Sequence, residues 1–330
     1  MEKIDFVITW VDSNDENWKK KYKKYSDEEN IESDARFRDW NFLKYWFRSI
    51  EENAPWVNKI FFITEGHIPQ WLNLDNENLI IIKHEDFIKK EYLPTFNSNV
   101  IQLNLYNIKK LSKHFVNFND DMFLNNKVHP KDFFYNGLPK DIGVFSPIIP
   151  IGSKESIAVN ILNNISIINE NFNFRHILKK NLFKFYNLKY GKHILKNLVV
   201  LPWSVVLGFY DNHIPISYDK EVFKEAITII ESQLEETYGH RFRDKDDITD
   251  WIIRYWQLSL GHFHPRKTSF GRYYNLGPDI IKAIDDIKYK KSKVICLNDS
   301  GINSSNFEKT REILIDSLED RYPEKSSFEK

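Results

Sequence analysis

Over residues 1 to about 135, short apolar runs ending in Asp or Asn alternate with stretches of helical periodicity, which restricts the chain to α/β architectures. Ile4 to Val11 is a β-branched and aromatic run closed by Asp12-Ser13-Asn14-Asp15, a strand followed by turn chemistry. The charged stretch Lys19 to Asp34 is expected as surface helix and loop. From Trp40, the apolar residues Leu43, Trp46, Phe47 and Ile50 recur at i, i+3, i+4, i+7, with Lys44 and Arg48 opposite. That spacing predicts an amphipathic helix to about Asn53, stopped by Pro55. Lys59 to Thr64 and Leu79 to Ile82 read as buried strands. Asn99 with Gln102 three residues on predicts a capping box, opening a helix through Ile101, Leu105, Ile108 and Leu111. His114 to Phe118 is then a strand that delivers Asn119, Asp120 and Asp121 to its end. A mostly parallel sheet flanked by helices is expected, with ligands at the carboxyl ends of its strands.

The second half is less regular. Residues 145 to 200, rich in Asn, Ile and Lys, are expected as a helical insertion or lid. Val222 to Glu236 reads as one helix, and Asp247 to Leu260 as another whose first turn holds Asp246 and Asp247 at the favoured end of the dipole. Val294 to Leu297 is a strand followed by Asn298-Asp299, and Ser305 with Glu308 caps a final helix. With no internal repeat and no linker composition, residues 1–330 are expected to form a single catalytic domain. Residues 1–135 would be its nucleotide-binding half and 200–330 would complete the site.

Composition narrows the function classes. Forty-seven basic residues balance forty-seven acidic ones, so no global field favours nucleic acid, which is not expected as a partner. The single cysteine, Cys296, excludes an internal disulfide framework and a cysteine-rich zinc site. No run reaches the ~18 apolar residues of a membrane span, and no basic leader precedes Ile4. A cytoplasmic protein, at most peripheral at the inner face of the membrane, is the expectation.

Three predicted strands end in carboxylates: Asp12, the pair Asp120 and Asp121, and Asp299. Adjacent Asp residues more often close a strand in a solvated turn. Packed dry they repel each other, so they face water or a cation, and at a strand's carboxyl end they are placed to grip a divalent metal carrying a nucleotide phosphate. Arg36 and Arg38 could neutralise the remaining phosphate charge, or simply solvate a helix entrance. His213, in a His-Ile-Pro loop, is the obvious candidate acid or base. His262 and His264 form an H-x-H pair, read as structural because no third ligand lies near in sequence.

Four blocks in order, IDFVITWVD from Ile4, RFRDWNFLKYWFRSIEENAPWVNKIFFITEGHIPQWLNLDN from Arg36, LPTFNSNVIQLNLYNI, and FVNFNDDMFL, together resemble the Stealth family of sugar-1-phosphate transferases. Weaker matches follow: HIP at His213, RFRDKDDITDWIIRYWQLSLGHFHP from Arg241, and ICLNDS from Ile295. The resemblance implies a nucleotide-sugar-transferase-like fold. It also implies transfer of a hexose- or N-acetylhexosamine-1-phosphate from a UDP-sugar to a glycan hydroxyl, with Mg²⁺ or Mn²⁺ and release of UMP. Carried over, Thr9, Trp10, Asp12, Arg36 and Arg38 lie by the donor; Asp120, Asp121 and Asp299 serve metal and diphosphate; His213 and Arg243 lie at the reacting phosphate. His213 and Asp121 both stand as candidate bases. A metal-dependent glycosyltransferase releasing UDP is the alternative. Three departures from the family pattern stand out: Ser13 where Gly is common after TWVD, Gln102 where Glu follows TFNSxxI, and Asn41-Phe42 where the first helix usually has an acidic residue.

Overall fold

The first apolar runs become the centre of a five-stranded sheet in the computed structural model, which describes residues 2–26, 38–150, 156–302 and 304–330. The first four strands, β1 (Ile4–Thr9), β2 (Ile60–Thr64), β3 (Leu79–Lys83) and β4 (His114–Phe118), are mutually parallel. After them come β5 (Met122–Leu124), β6 (Phe134–Tyr135), β7 (Leu138–Asp141), β8 (Ile216–Asp219), β9 (His264–Pro265), β10 (Gly271–Asn275) and β11 (Val294–Asn298). The main sheet has the order β3-β2-β1-β4-β8, and β8 alone runs antiparallel, against β4. Two three-stranded sheets, β10-β11-β5 and β6-β7-β9, sit beside it. The expected α/β sheet flanked by helices is thus present.

Strand periodicity of two sorts side chains onto the two faces. Phe6 and Ile8 of β1, Phe62 of β2, and Val116 and Phe118 of β4 pack with Trp46, Phe47 and Ile50 of the helix Leu43–Asn53. Val7, Phe61, Ile63 and Phe115 point the other way, into a core shared with Ile165, Ile168 and Phe174 of the helical segment and with Ile252, Tyr255 and Trp256. Nearly all these side chains are fully buried, each contributing about 1.5–3 kcal/mol. The expected insertion is helical from Ser156 to Val199, interrupted by short turns. It and the main sheet share this second core.

Four expectations need correction. The helix expected from Asn99 to Leu111 ends at Leu103, where the Asn104 amide turns back to the Val100 carbonyl (2.8 Å) and a short 3₁₀ turn, Leu105–Asn107, follows. Its cap is Asn97, whose side chain accepts the Asn99 N–H, so there is no Asn99–Gln102 capping box. The helix expected over Val222 to Glu236 is two, Lys220–Ile229 and Glu231–Gly239, broken at the fully buried Ile230 after the β-branched run Thr228-Ile229. The helix expected from Asp247 begins at Trp251, because Asp247 is buried in a polar cluster rather than spent on the dipole. β3, finally, is a half-exposed edge, not a fully buried strand.

Candidate functional site

The carboxyl end of β4 is where distant parts of the chain meet. Asn117 points to the insertion side, and the turn that follows, closed by Met122 N–H to Asn119 O (3.2 Å), presents Asp120 and Asp121 before β5 begins. Because β11 pairs antiparallel with β5 in the register Cys296 opposite Met122, the Cys296 thiol reaches the Asp121 carboxylate. Its Sγ donates to Asp121 Oδ2 at 3.1 Å, and Leu297 N–H donates to the Asp121 carbonyl at 2.8 Å. Burial and the adjoining Asp121 carboxylate push the Cys296 thiol well up, so it stays protonated. Asp121 Oδ1 is buried with no partner among the described residues.

Antiparallel pairing of β8 brings in the third member. With Ile216 opposite Asn117, the chain entering β8 crosses the carboxyl end of β4 and delivers His213 there. His213 sits at φ +46°, a left-handed conformation uncommon for a side chain with a Cβ, and its N–H donates to Asp211 Oδ1 at 2.8 Å. Its ring meets Trp251 and Tyr273 edge-on, both at 5.7 Å between centroids. Ligand atoms of Asp121, His213 and Cys296 all lie within 4.8 Å of one another. Beside them Asp250 is pushed by burial up to about 6, against the stabilising hydrogen bond from the Tyr218 hydroxyl (2.8 Å) and the His213 ring.

Asp120 faces solvent. Crowding by surrounding protein and then the Asp121 carboxylate raise its pKa, Asp39 adds to the rise, and Arg243 opposes it. Water reaching the carboxylate limits the size of that rise. Arg243 is held by its Nε to Ser98 Oγ at 3.0 Å. The loop bearing it is tied to residues 95–99 by Asp247. That fully buried carboxylate accepts from the side-chain amides of Asn97 (2.8 Å) and Asn99 (3.0 Å) and from the Asp244 N–H (3.0 Å), and meets His240 Nδ1 at 2.8 Å. Phe96 stacks on Phe242 at 5.2 Å, completing the junction.

At the end of β1, Trp10 packs against Phe62 and His67, and the Asp12 N–H donates to His67 Nε2 at 2.9 Å. His67 is therefore a neutral acceptor, as burial, which lowers its pKa, favours. Thr9 Oγ1 is buried with no partner among the described residues. Arg38 lies 3.5 Å from Asp299 Oδ1, and Trp40 Nε1 donates to Asp299 Oδ2 at 3.2 Å. Arg36 lies outside the described residues. Gln102 donates to Asn119 Oδ1 (3.1 Å), so it braces the turn of the acidic pair.

The expected metal trio is not gathered into one cluster among the described residues. Asp299 is engaged by Arg38 and Trp40, and among the described residues it forms no ligand cluster with Asp120 and Asp121. The acidic pair by itself fits Mg²⁺ or Mn²⁺ carried by a diphosphate, since such an ion takes one or two carboxylates plus phosphate oxygens. The unpartnered Asp121 Oδ1 is the observation that supports the fit. The nitrogen of His213 and sulfur of Cys296 are too soft a donor set for Mg²⁺. Sequence reading missed Cys296, Asp211, Asp250, Trp251 and Tyr273. The ICLNDS block holds Cys296 and the block from Arg241 holds Asp250 and Trp251, but neither singled them out.

Hard carboxylates, a histidine and an arginine loop thus gather at the carboxyl ends of parallel strands. The chain matches Stealth protein conserved region 1 over residues 2–29 and conserved region 2 over residues 36–141. It is 50% identical to a capsular polysaccharide phosphotransferase WcwK of Streptococcus pneumoniae, covering 100% of this chain and 99% of the relative. To the exopolysaccharide phosphotransferase cps2G of Lactiplantibacillus plantarum it is 40% identical, covering 99% and 96%. The chain belongs to the Stealth family and is a phosphotransferase. Among solved structures, it resembles the galactosyltransferase LgtC with a TM-score of 0.41 and 11% identity, over 94% of this chain and 95% of that one. Among the described residues no helix is long and apolar enough to cross a membrane.

Proposed function

We propose that this protein transfers a sugar-1-phosphate from a UDP-sugar to a sugar hydroxyl of a bacterial surface polysaccharide, forming a phosphodiester and releasing UMP. The convergence of Asp121 and His213 at the carboxyl end of β4 is the observation that carries this reading. In it, the donor lies along the ends of β1 and β4, with Thr9, Trp10 and Asp12 at the nucleotide and Arg38 near the phosphates. Asp120 and Asp121 hold the divalent cation, which supplies charge neutralisation on the diphosphate. Arg243 turns its guanidinium to the transferring phosphoryl oxygens, where a planar donor fork is worth most.

The acceptor hydroxyl oxygen attacks the phosphorus that bears the sugar. A new P–O bond forms, the bond to the bridging oxygen breaks, and UMP leaves with that electron pair. The hydroxyl proton passes to His213. Of the two candidate bases His213 is the better supported, because Asp121 Oδ2 already accepts the Cys296 thiol and Oδ1 is the oxygen left for the cation. The Asp211 contact, the left-handed backbone and the two flanking rings fix the imidazole for that task.

Chromatography of the nucleotide released from UDP-sugars, in the presence of Mg²⁺ or Mn²⁺ and polysaccharide fragments, tests the proposal. UMP with a new phosphodiester is expected. UDP would mean attack at the anomeric carbon and would overturn it.

A further inference from the structure

A cleft of about 560 Å³ opens beside the reactive corner, and none of the residues given a donor or metal role lines it. Its walls come from Tyr210 to Asn212, from Thr268 and Ser269, and from Arg272 and Tyr273 of β10. The volume falls within the roughly 300–1,000 Å³ of small-molecule sites. Two lining residues join it to the chemistry. Asp211 accepts the His213 N–H, and Tyr273 stands edge-on to the His213 ring. The Tyr273 phenol bonds toward Ser300 and Asn298, which fixes its plane, yet 38% of the residue stays exposed.

Topology sets where this cleft lies. In the order β3-β2-β1-β4-β8, the donor residues belong to β1 and β4, whereas the Tyr210 to His213 segment leads into β8, on the far side of β4. Transfer between two bulky substrates requires such an arrangement, with separate approaches meeting at one pair of reacting groups. The lining chemistry is that of a sugar: exposed tyrosine, hydroxyls of Thr268 and Ser269, and the Asn212 amide. Of its cations, Lys282 pairs with Asp279 (2.6 Å), Lys291 pairs with Asp285, and Arg272 meets the Tyr274 phenol, while Asp211 adds a carboxylate to the wall. That balance disfavours an anionic ligand and favours an uncharged one.

We propose that this cleft is the acceptor subsite, taking a neutral oligosaccharide segment whose terminal ring rests by Tyr273 and presents its hydroxyl to His213. The assignment rests on the phosphotransfer reading and adds to it the place and class of the acceptor. Ser269 is exposed, lines the cleft and carries no assigned role, so Ser269→Trp adds bulk there while leaving Asp211, His213 and Tyr273 in place. Saturation-transfer NMR with lactose, N,N′-diacetylchitobiose and maltotriose at millimolar concentration reads binding without turnover. At least one is expected to bind the wild type and to lose that signal in Ser269→Trp. In steady-state assays the variant should raise the acceptor KM about tenfold or more, while donor KM and acceptor-independent UMP release stay within about twofold. Absence of binding by all three sugars, or an unchanged acceptor KM in the variant, overturns the cleft assignment. A wild type that releases no UMP while still binding sugar in the cleft instead overturns the phosphotransfer reading alone.

Discussion

Replacing Asp247 should unlatch the arginine loop from the rest of the site. The carboxylate is fully buried and gathers four donors: the amides of Asn97 and Asn99, the Asp244 N–H and His240. In Asp247→Ala, Asn97 keeps its bond to the Phe242 carbonyl (3.2 Å) and partly exposed His240 turns to water. The Asn99 amide and the Asp244 N–H then lack a protein partner. At about 1–3 kcal/mol for each of the two stranded donors, plus about 1.5–3 kcal/mol for the lost charge-assisted bond to Asn97, the change costs roughly 4–9 kcal/mol. That is a large share of the ~5–15 kcal/mol that holds a typical domain together. Asp247→Asn keeps the shape but replaces bonds to a charged carboxylate by bonds to a neutral amide, for roughly 1.5–3 kcal/mol. Urea titration followed by circular dichroism measures both losses. At a temperature where Asp247→Asn remains folded, turnover should drop about tenfold or more because Arg243 loses its footing. An Asp247→Ala protein within about 1 kcal/mol of wild type would refute the latch.

Two further outcomes follow from single residues. Asp121→Asn should lower turnover roughly 100-fold or more while leaving the melting temperature nearly unchanged, since the Cys296 thiol still finds an amide oxygen and Oδ1 had no protein partner; retained activity removes Asp121 from the mechanism. His84 is buried with both ring nitrogens unpartnered, and burial pushes its pKa down from 6.5 to about 3. The unfolded chain therefore binds more protons between those values, and stability falls as pH drops through that window by about 1.4 kcal/mol per unit. His84→Leu should make the loss between about pH 7 and about pH 5 smaller by roughly 2 kcal/mol, read from urea midpoints at both pH values; an unchanged difference refutes the assignment.

What was legible in the sequence were features with a short-range cause. The strands β1, β2 and β4 and the helix Leu43–Asn53 announce themselves by periodicity and by turn residues at their ends. Asp120 and Asp121 were legible for the same reason, as polar residues abruptly following an apolar run. Cys296 was not, because its thiol meets Asp121 only through the β5–β11 pairing, 175 residues apart. Asp247 was misjudged because two acidic residues before a helical pattern look like dipole partners. The Asn97 and Asn99 amides that claim it lie 150 and 148 residues away. Ile230 shows the opposite failure, since local periodicity ran on through a break that core packing imposes.

The lone antiparallel strand gives the molecule a modular plan. A strand entering the sheet from the carboxyl side, as β8 does, lets the chain that leaves the sheet at Phe118, the end of β4, return at the same rim of the sheet. The helical part of that excursion, Ser156 to Val199, can vary only where it keeps its side of the second core, and the return must keep Asp211, His213 and the register at Ile216. Exchange of that helical part leaves the parallel strands β1 to β4 untouched. Chimaeras that exchange Ser156 to Val199 and leave Tyr210 to Ile216 in place are the natural way to exploit it.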